Sequence, residues 1–284
     1  MNSTVSPYHA TCGCHPQQID TTRHQLSRQF ANIGAMRIVL FWLLFPWLIP
    51  QALYVRQTAP RFAAASGPTE GTIGSGDDCG EGEHVRLLAI GDSIVAGVGA
   101  SELSKALIGQ TAAALADSNQ VRVSWQAIGV SGYDARKILD HLVPKLPQSP
   151  VDYIIVSVGV NDVTGLTGIR TWRNNLSELL QKLRTHSPQA TIAVAGLPPL
   201  HGFPLLPQPL RAVLGIRARS LDDAAIAIVS SFPDMAHVAL DFDPDPAGFA
   251  GDGYHPSEES YVEFGRYMAD GLIASARGKT HAKD

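Results

Sequence analysis

From Val85 onward the chain alternates short apolar runs with amphipathic stretches, and this alternation limits the folds open to it. Val85-Arg86-Leu87-Leu88-Ala89-Ile90 ends at Gly91, as a strand buried on both faces would. Val121, Val123 and Trp125 alternate with Arg122 and Ser124, Tyr153 to Val158 is the most apolar run, and Thr191 to Ala195 and Val238 to Phe242 complete a set of five strands. Between them, residues 103–117, 134–142, 171–185 and 210–229 carry helical spacing, with Ser187-Pro188 closing the third of these. A last helix spans 257–275, with Ser257 as its N-cap. Strands alternating with helices predict a three-layer α/β/α fold around a mostly parallel five-stranded sheet. In such sheets functional residues gather at the carboxyl edge, where strands end and loops begin.

Upstream of this pattern lie three different segments. Residues 1–35 read as an unstructured or mis-assigned tail, since Met36 offers an alternative start. Residues 36–56 hold an apolar run from Ile38, near the lower length limit for a membrane-crossing helix, preceded by Arg37 and containing Trp42, Trp47 and Tyr54. Three readings compete for it: an uncleaved anchor, a signal peptide cut near Ala63-Ala64-Ala65, and a buried amphipathic element. Its apolar residues are not confined to one face, which disfavours the third. Arg23, Arg28 and Arg37 precede the run and Arg56 and Arg61 follow it, a slight bias toward a main domain outside the cytoplasm. Residues 57–84, rich in Gly, Ala and Ser, read as a flexible linker, leaving 85–278 as the folded domain.

Composition narrows the function. The chain is 45% hydrophobic and 17% charged with a net charge of -4, so it folds, and it offers no basic stripe for nucleic acid. Cys12, Cys14 and Cys79 all precede the first strand of the pattern, and Cys12-Gly13-Cys14-His15 lacks the second ligand pair of a closed zinc site.

Four short motifs fall at the ends of the strands. Gly91-Asp92-Ser93 follows the first, Gly129-Val130-Ser131-Gly132 the second and Gly159-Val160-Asn161-Asp162 the third, while Asp252-Gly253-Tyr254-His255 precedes the last helix. A serine hydroxyl becomes a nucleophile when a base takes its proton. Ser93 at a strand-to-helix turn can project into a cleft, and a neutral imidazole at His255 can act as that base near neutral pH. Asp252, three residues earlier, can reach the imidazole, fix its tautomer and stabilise its charged form. Asp92 and Asp162 read as residues that organise their turns.

In their order and placement these motifs resemble the SGNH/GDSL hydrolases, over roughly residues 85–275. The resemblance implies a flavodoxin-like sheet and hydrolysis of esters or related acyl bonds through an acyl-enzyme, with neither metal nor cofactor. It assigns the triad to Ser93, Asp252 and His255, and the oxyanion donors to the Ser93 N–H, the Gly132 N–H (with Gly129 as the alternative) and the Asn161 amide. The family often has Asn near the start of the second motif, where this chain has Ala127, which puts the support of that loop in doubt. The expected partner is a small acyl ester, with membrane association through the N-terminal segment. Acyl transfer or deacetylation on an envelope glycan or lipid, and a non-catalytic binder on the same fold, are the alternatives. No Gly-x-Ser-x-Gly elbow, dinucleotide fingerprint or phosphate loop occurs. The apolar, proline-stiffened loop 197–207 suits either a wall of an acyl pocket or packing against the helix after it.

Overall fold

A computed structural model describes residues 36–74, 84–240 and 245–281. Cys12, Cys14 and Cys79, and the tail 1–35, lie outside the described residues. The sheet has six strands: β1 (Glu70–Ile73), β2 (His84–Gly91), β3 (Arg122–Gly129), β4 (Tyr153–Ser157), β5 (Thr191–Ala195) and β6 (Met235–Val238), in the order β1-β3-β2-β4-β5-β6. All neighbours are parallel except β1, which lies antiparallel on β3. The expected five-stranded sheet is corrected by that edge strand, and the linker reading of 57–84 is corrected at 70–73, while 75–83 lie outside the described residues. Gly71 is what lets β1 lie there: a Cβ at this position would stand 2.6 Å from the Trp125 ring of β3. β6 also lies three residues earlier than the run at Val238, and its two buried residues, Met235 and Val238, face opposite cores.

Alternate residues of the central strands feed two cores, as the pleat requires. Leu88, Ile90, Ile154, Val156, Ile192 and Val194 pack beneath α3 (Ala135–His141), α5 (Ile169–His186) and α6 (Leu210–Val229). Val85, Leu87, Ala89, Val123, Ile155 and Ala193 pack beneath α2 (Leu107–Asn119) and α7 (Glu258–His281). The result is the three-layer α/β/α arrangement. α3 starts where the Asp134 carboxylate accepts the Lys137 N–H at 2.9 Å, and Ser257 receives the Ser260 N–H at the head of α7. A short helix, α4 (Val160–Thr164), occupies the third motif, which the sequence pattern left as a turn.

The apolar N-terminal run forms helix α1 (Met36–Thr58), with a 3₁₀ turn at Phe45–Leu48; it is long and apolar enough to cross a membrane. One stripe of it docks on the domain. Phe41 and Phe45 are buried in the core shared by α5 and α6, and Arg37 pairs with Asp223 at 2.6 Å. Leu48, Ala52 and Val55 continue the stripe, partly buried against the same core, and most of the rest of the helix is exposed.

Candidate active site

The first motif is shaped by close packing at the carboxyl edge. A Cβ on Gly91 would sit 2.1 Å from the Ser157 carbonyl, so only glycine lets β2 end against β4 here. The chain then turns sharply: Ala96 N–H bonds to Asp92 O at 3.0 Å and Val98 N–H to Ser93 O at 3.0 Å, while the Asp92 carboxylate accepts the Ile94 N–H at 3.2 Å. This turn presents Ser93 to a cavity of about 720 Å³.

His255 comes to the same place from the loop before α7. Its Nε2 stands 3.0 Å from Ser93 Oγ, and its Nδ1 stands 2.6 Å from Asp252 Oδ2. The other carboxylate oxygen, Oδ1, accepts the N–H groups of Tyr254 and His255 at 2.9 and 3.0 Å. Burial works against the charge on Asp252, but these backbone bonds and the bond to the imidazole outweigh it, and the carboxyl is held below the ordinary carboxylate range. The loop is fixed from both sides. Ala250 N–H bonds to His255 O at 2.8 Å, and Leu205 N–H bonds to Gly253 O at 3.0 Å.

The second and third motifs meet beside Ser93. Gly132 has φ +82° and open space where a Cβ would be, and its N–H and that of Ser93 have no acceptor among the described residues. Gly129 differs: a Cβ there would lie 2.4 Å from the Ala96 nitrogen, so this glycine is a packing contact behind the Ser93 turn. Asn161, at the start of α4, donates its amide to the Tyr133 carbonyl at 3.0 Å and stands 3.5 Å from Asp92 Oδ2. It thereby ties the Gly132 loop to the Ser93 turn. Ala127 lies inside β3, and its N–H bonds to Thr69 O on the β1 side. The second-motif loop is held from α4 instead, where the buried Asp162 accepts the Ala135 N–H at 3.0 Å. None of these long-range ties was readable from the sequence, because their partners are 27 or more residues apart.

Two buried carboxyls lie behind the site. Burial pushes Asp92 up to about 7, against the pull of the Ile94 N–H and with help from the charge of Asp162. Burial likewise pushes Asp162 up to about 6, against the bond from Ala135. Arg217 of α6 closes the far end of α4. Its Nε donates to Val163 O at 3.0 Å and its guanidinium also reaches Thr167 O. The Phe41 ring of α1 covers this guanidinium at 4.9 Å.

One wall of the cavity is the proline-rich loop. Leu197, Pro198 and Phe203 line it, with Phe249, Tyr254 and Phe264 from the other side. Phe203 packs edge-on against Tyr254, which packs in turn against the His255 ring. The same loop also packs on α6, where His201 abuts Gly215, so it serves both of the purposes its composition suits. Among the described residues no group of three or more His, Cys, Asp or Glu is arranged to hold a metal ion.

A family model for the GDSL-like Lipase/Acylhydrolase family matches residues 89–262, well over half of the chain and spanning all four motifs. The chain belongs to the GDSL-like lipase/acylhydrolase family. It is 29% identical over 188 residues to the GDSL-like esterase Rv1075c of Mycobacterium tuberculosis, covering 63% of this chain and 58% of that one. The chain thus spans a little over half the length of this curated relative. Among solved structures, the family 3 carbohydrate esterase of Clostridium thermocellum superimposes with a TM-score of 0.53 at 18% identity, over 69% of this chain and 98% of that one. Est24, a carbohydrate acetylesterase from Sinorhizobium meliloti, does so with a TM-score of 0.51 at 19% identity, over 67% and 99%. These two likenesses establish that the GDSL-family fold seen here is shared; at such identity they speak to fold alone.

Proposed function

We propose that this GDSL-family protein is a serine esterase that cleaves carboxylic esters through an acyl-enzyme, with residues 85–278 as the hydrolase unit, joined by β1. The observation that carries the reading is the continuous chain from Ser93 Oγ to His255 Nε2 at 3.0 Å and from His255 Nδ1 to Asp252 at 2.6 Å, opening on an apolar cavity. Ser93 Oγ attacks the ester carbon as its proton passes to His255 Nε2. Asp252 holds the ring in the tautomer with a free Nε2 and stabilises the imidazolium. The tetrahedral oxyanion takes the N–H groups of Ser93 and Gly132 and one N–H of Asn161, uncharged donors that leave the base undisturbed. Collapse expels the alcohol, which takes the proton from Nε2. Water then attacks the acyl-enzyme by the reverse route, releasing the acid and freeing Ser93. We also propose that the protein associates with a membrane through α1.

The test is a fluorophosphonate probe together with p-nitrophenyl ester turnover on the full chain. Wild type is expected to be labelled on Ser93 and to hydrolyse the ester, and Ser93→Ala to lose both. Labelling or turnover that survives in Ser93→Ala refutes the assignment.

A further inference from the structure

The exposed apolar surface of this protein is concentrated in α1. Among the described residues thirteen large hydrophobic side chains are exposed, and ten of them lie between Met36 and Tyr54, with Leu43 66% and Trp47 84% exposed. A helix that is apolar all round has every side covered by something other than water. The domain covers one stripe, through Phe41 and Phe45.

The way that stripe docks decides what can cover the rest. α1 runs antiparallel to α6: Arg37 pairs with Asp223, Phe41 lies on Arg217, and Gln51 donates to Gln208 O at 2.9 Å and accepts the Leu210 N–H at 3.1 Å. The two helices are therefore side by side along most of their length. Were α1 to cross a bilayer in this arrangement, α6 would be carried into the hydrocarbon with the exposed Arg219, and the Arg37–Asp223 pair would lie at its edge. Charged side chains at that depth are strongly disfavoured. A helix lying in the plane of the surface meets no such conflict, with the domain on one side and lipid on the other.

Charge points to the kind of lipid. Residues 36–69 contain no Asp or Glu, but they do contain Arg37, Arg56 and Arg61, the last two exposed. Trp42, Trp47 and Tyr54 on the exposed face are of the types that settle at the headgroup level. We propose that α1 is an in-plane anchor that seats the domain on an anionic lipid surface. This rests on the membrane-association reading and fixes its geometry. It is independent of the esterase chemistry, but it bears on where the substrate is met. Phe62, four residues beyond the end of α1, lies against Gly251 at the head of the Asp252–His255 loop. Four residues span at most about 14 Å, so the acid–base loop is held close to the surface. Esters resident at a lipid–water boundary are the class this arrangement reaches.

Full-length protein is mixed with vesicles of phosphatidylcholine alone or with phosphatidylglycerol added. Sedimentation with the anionic vesicles, weakened at least tenfold by Leu43→Ser with Trp47→Ser and by Arg56→Gln with Arg61→Gln, is expected. Absence of binding to either vesicle overturns the membrane reading itself, and equal binding to both overturns the anionic preference. Geometry is read separately in sealed membrane vesicles from expressing cells, with an impermeant maleimide. The chain carries Cys12 and Cys14 before α1 and Cys79 after it. An in-plane helix leaves all three on one side, so they label together or are protected together until detergent is added. Labelling of Cys79 with protection of Cys12 and Cys14, or the reverse, means that α1 crosses and the proposal fails. Recovery of the mature protein without α1 overturns it as well.

Discussion

Asn161 directs its amide to the Tyr133 carbonyl at 3.0 Å, while the Asp162 carboxylate turns the other way to the Ala135 N–H at 3.0 Å. In the proposed mechanism the first supplies a donor to the transition state, and the second braces the loop. Asn161→Ala is therefore expected to lower kcat by about a hundred- to a thousandfold with little change in KM, and to slow fluorophosphonate labelling. Asp162→Ala is expected to lower the melting temperature first, since it leaves a buried backbone N–H unpaired. Near-normal turnover in Asn161→Ala, with turnover abolished in a folded Asp162→Ala, would reverse the assignment. Asp92 gives a second residue-scale test. Its carboxyl is raised by burial to about 7, so the folded state binds its proton more tightly than the unfolded chain does. Stability linked to Asp92 is thus fully present below about pH 4 and is lost as the pH rises toward and through about 7. Asp92→Asn keeps an acceptor for the Ile94 N–H and removes the ionisation. Its melting temperature relative to wild type should rise between pH 5 and pH 8. A difference that stays constant would show that Asp92 is already ionised in the folded protein at pH 5 and is not raised by burial. That Ser93, Asp252 and His255 would meet was legible in the sequence, because each motif sits at a strand or helix end on the carboxyl edge and Asp252 lies only three residues before His255. The ties of Asn161 to Tyr133 and of Asp162 to Ala135 were not, since only the folded sheet edge brings them together.

At the level of elements, the parallel strands β2, β4 and β5 were readable because they are buried on both faces and so nearly uniformly apolar. β1 was not. Glu70-Gly71-Thr72-Ile73 has no apolar run, and its place depends on a glycine fitting over the Trp125 ring and on backbone pairing with β3. α1 was read as an apolar run with no preferred face, and only α6 selects which stripe it buries. These two elements can be separated by truncation. A chain beginning at residue 59 loses α1 and the burial of Phe41 and Phe45, each worth about 1.5–3 kcal/mol. At roughly 2–4 °C per kcal/mol its melting temperature should fall by about 6–24 °C. A chain beginning at Gly80 loses β1 as well and should melt lower still. Equal melting of all three forms would mean that neither element is part of the folded unit.

Across the whole molecule, the cavity joins Ser93 to an apolar wall built from the 197–207 loop and the head of α7. Each methylene buried on that wall is worth about 0.8 kcal/mol, or roughly a fourfold gain. In a series of p-nitrophenyl esters, kcat/KM is expected to climb by about that factor per added carbon from acetate until the cavity is filled, and then to fall. A flat profile from the shortest acyl group upward would assign the apolar wall to the alcohol side. The segment between α1 and β1 has a consequence of a different kind. Ala65 donates its N–H to Ala96 O, three residues past Ser93, and its methyl group lies where a side chain at Gly97 would be. A peptidase cutting at Ala63-Ala64-Ala65 needs that stretch extended and free, and folding weaves it into the turn behind Ser93. Any such cut must therefore be made during export, before the domain closes on it. If a peptidase acts there at all, the timing of its cut relative to folding, rather than the sequence at 63–65, decides whether the chain keeps its first helix.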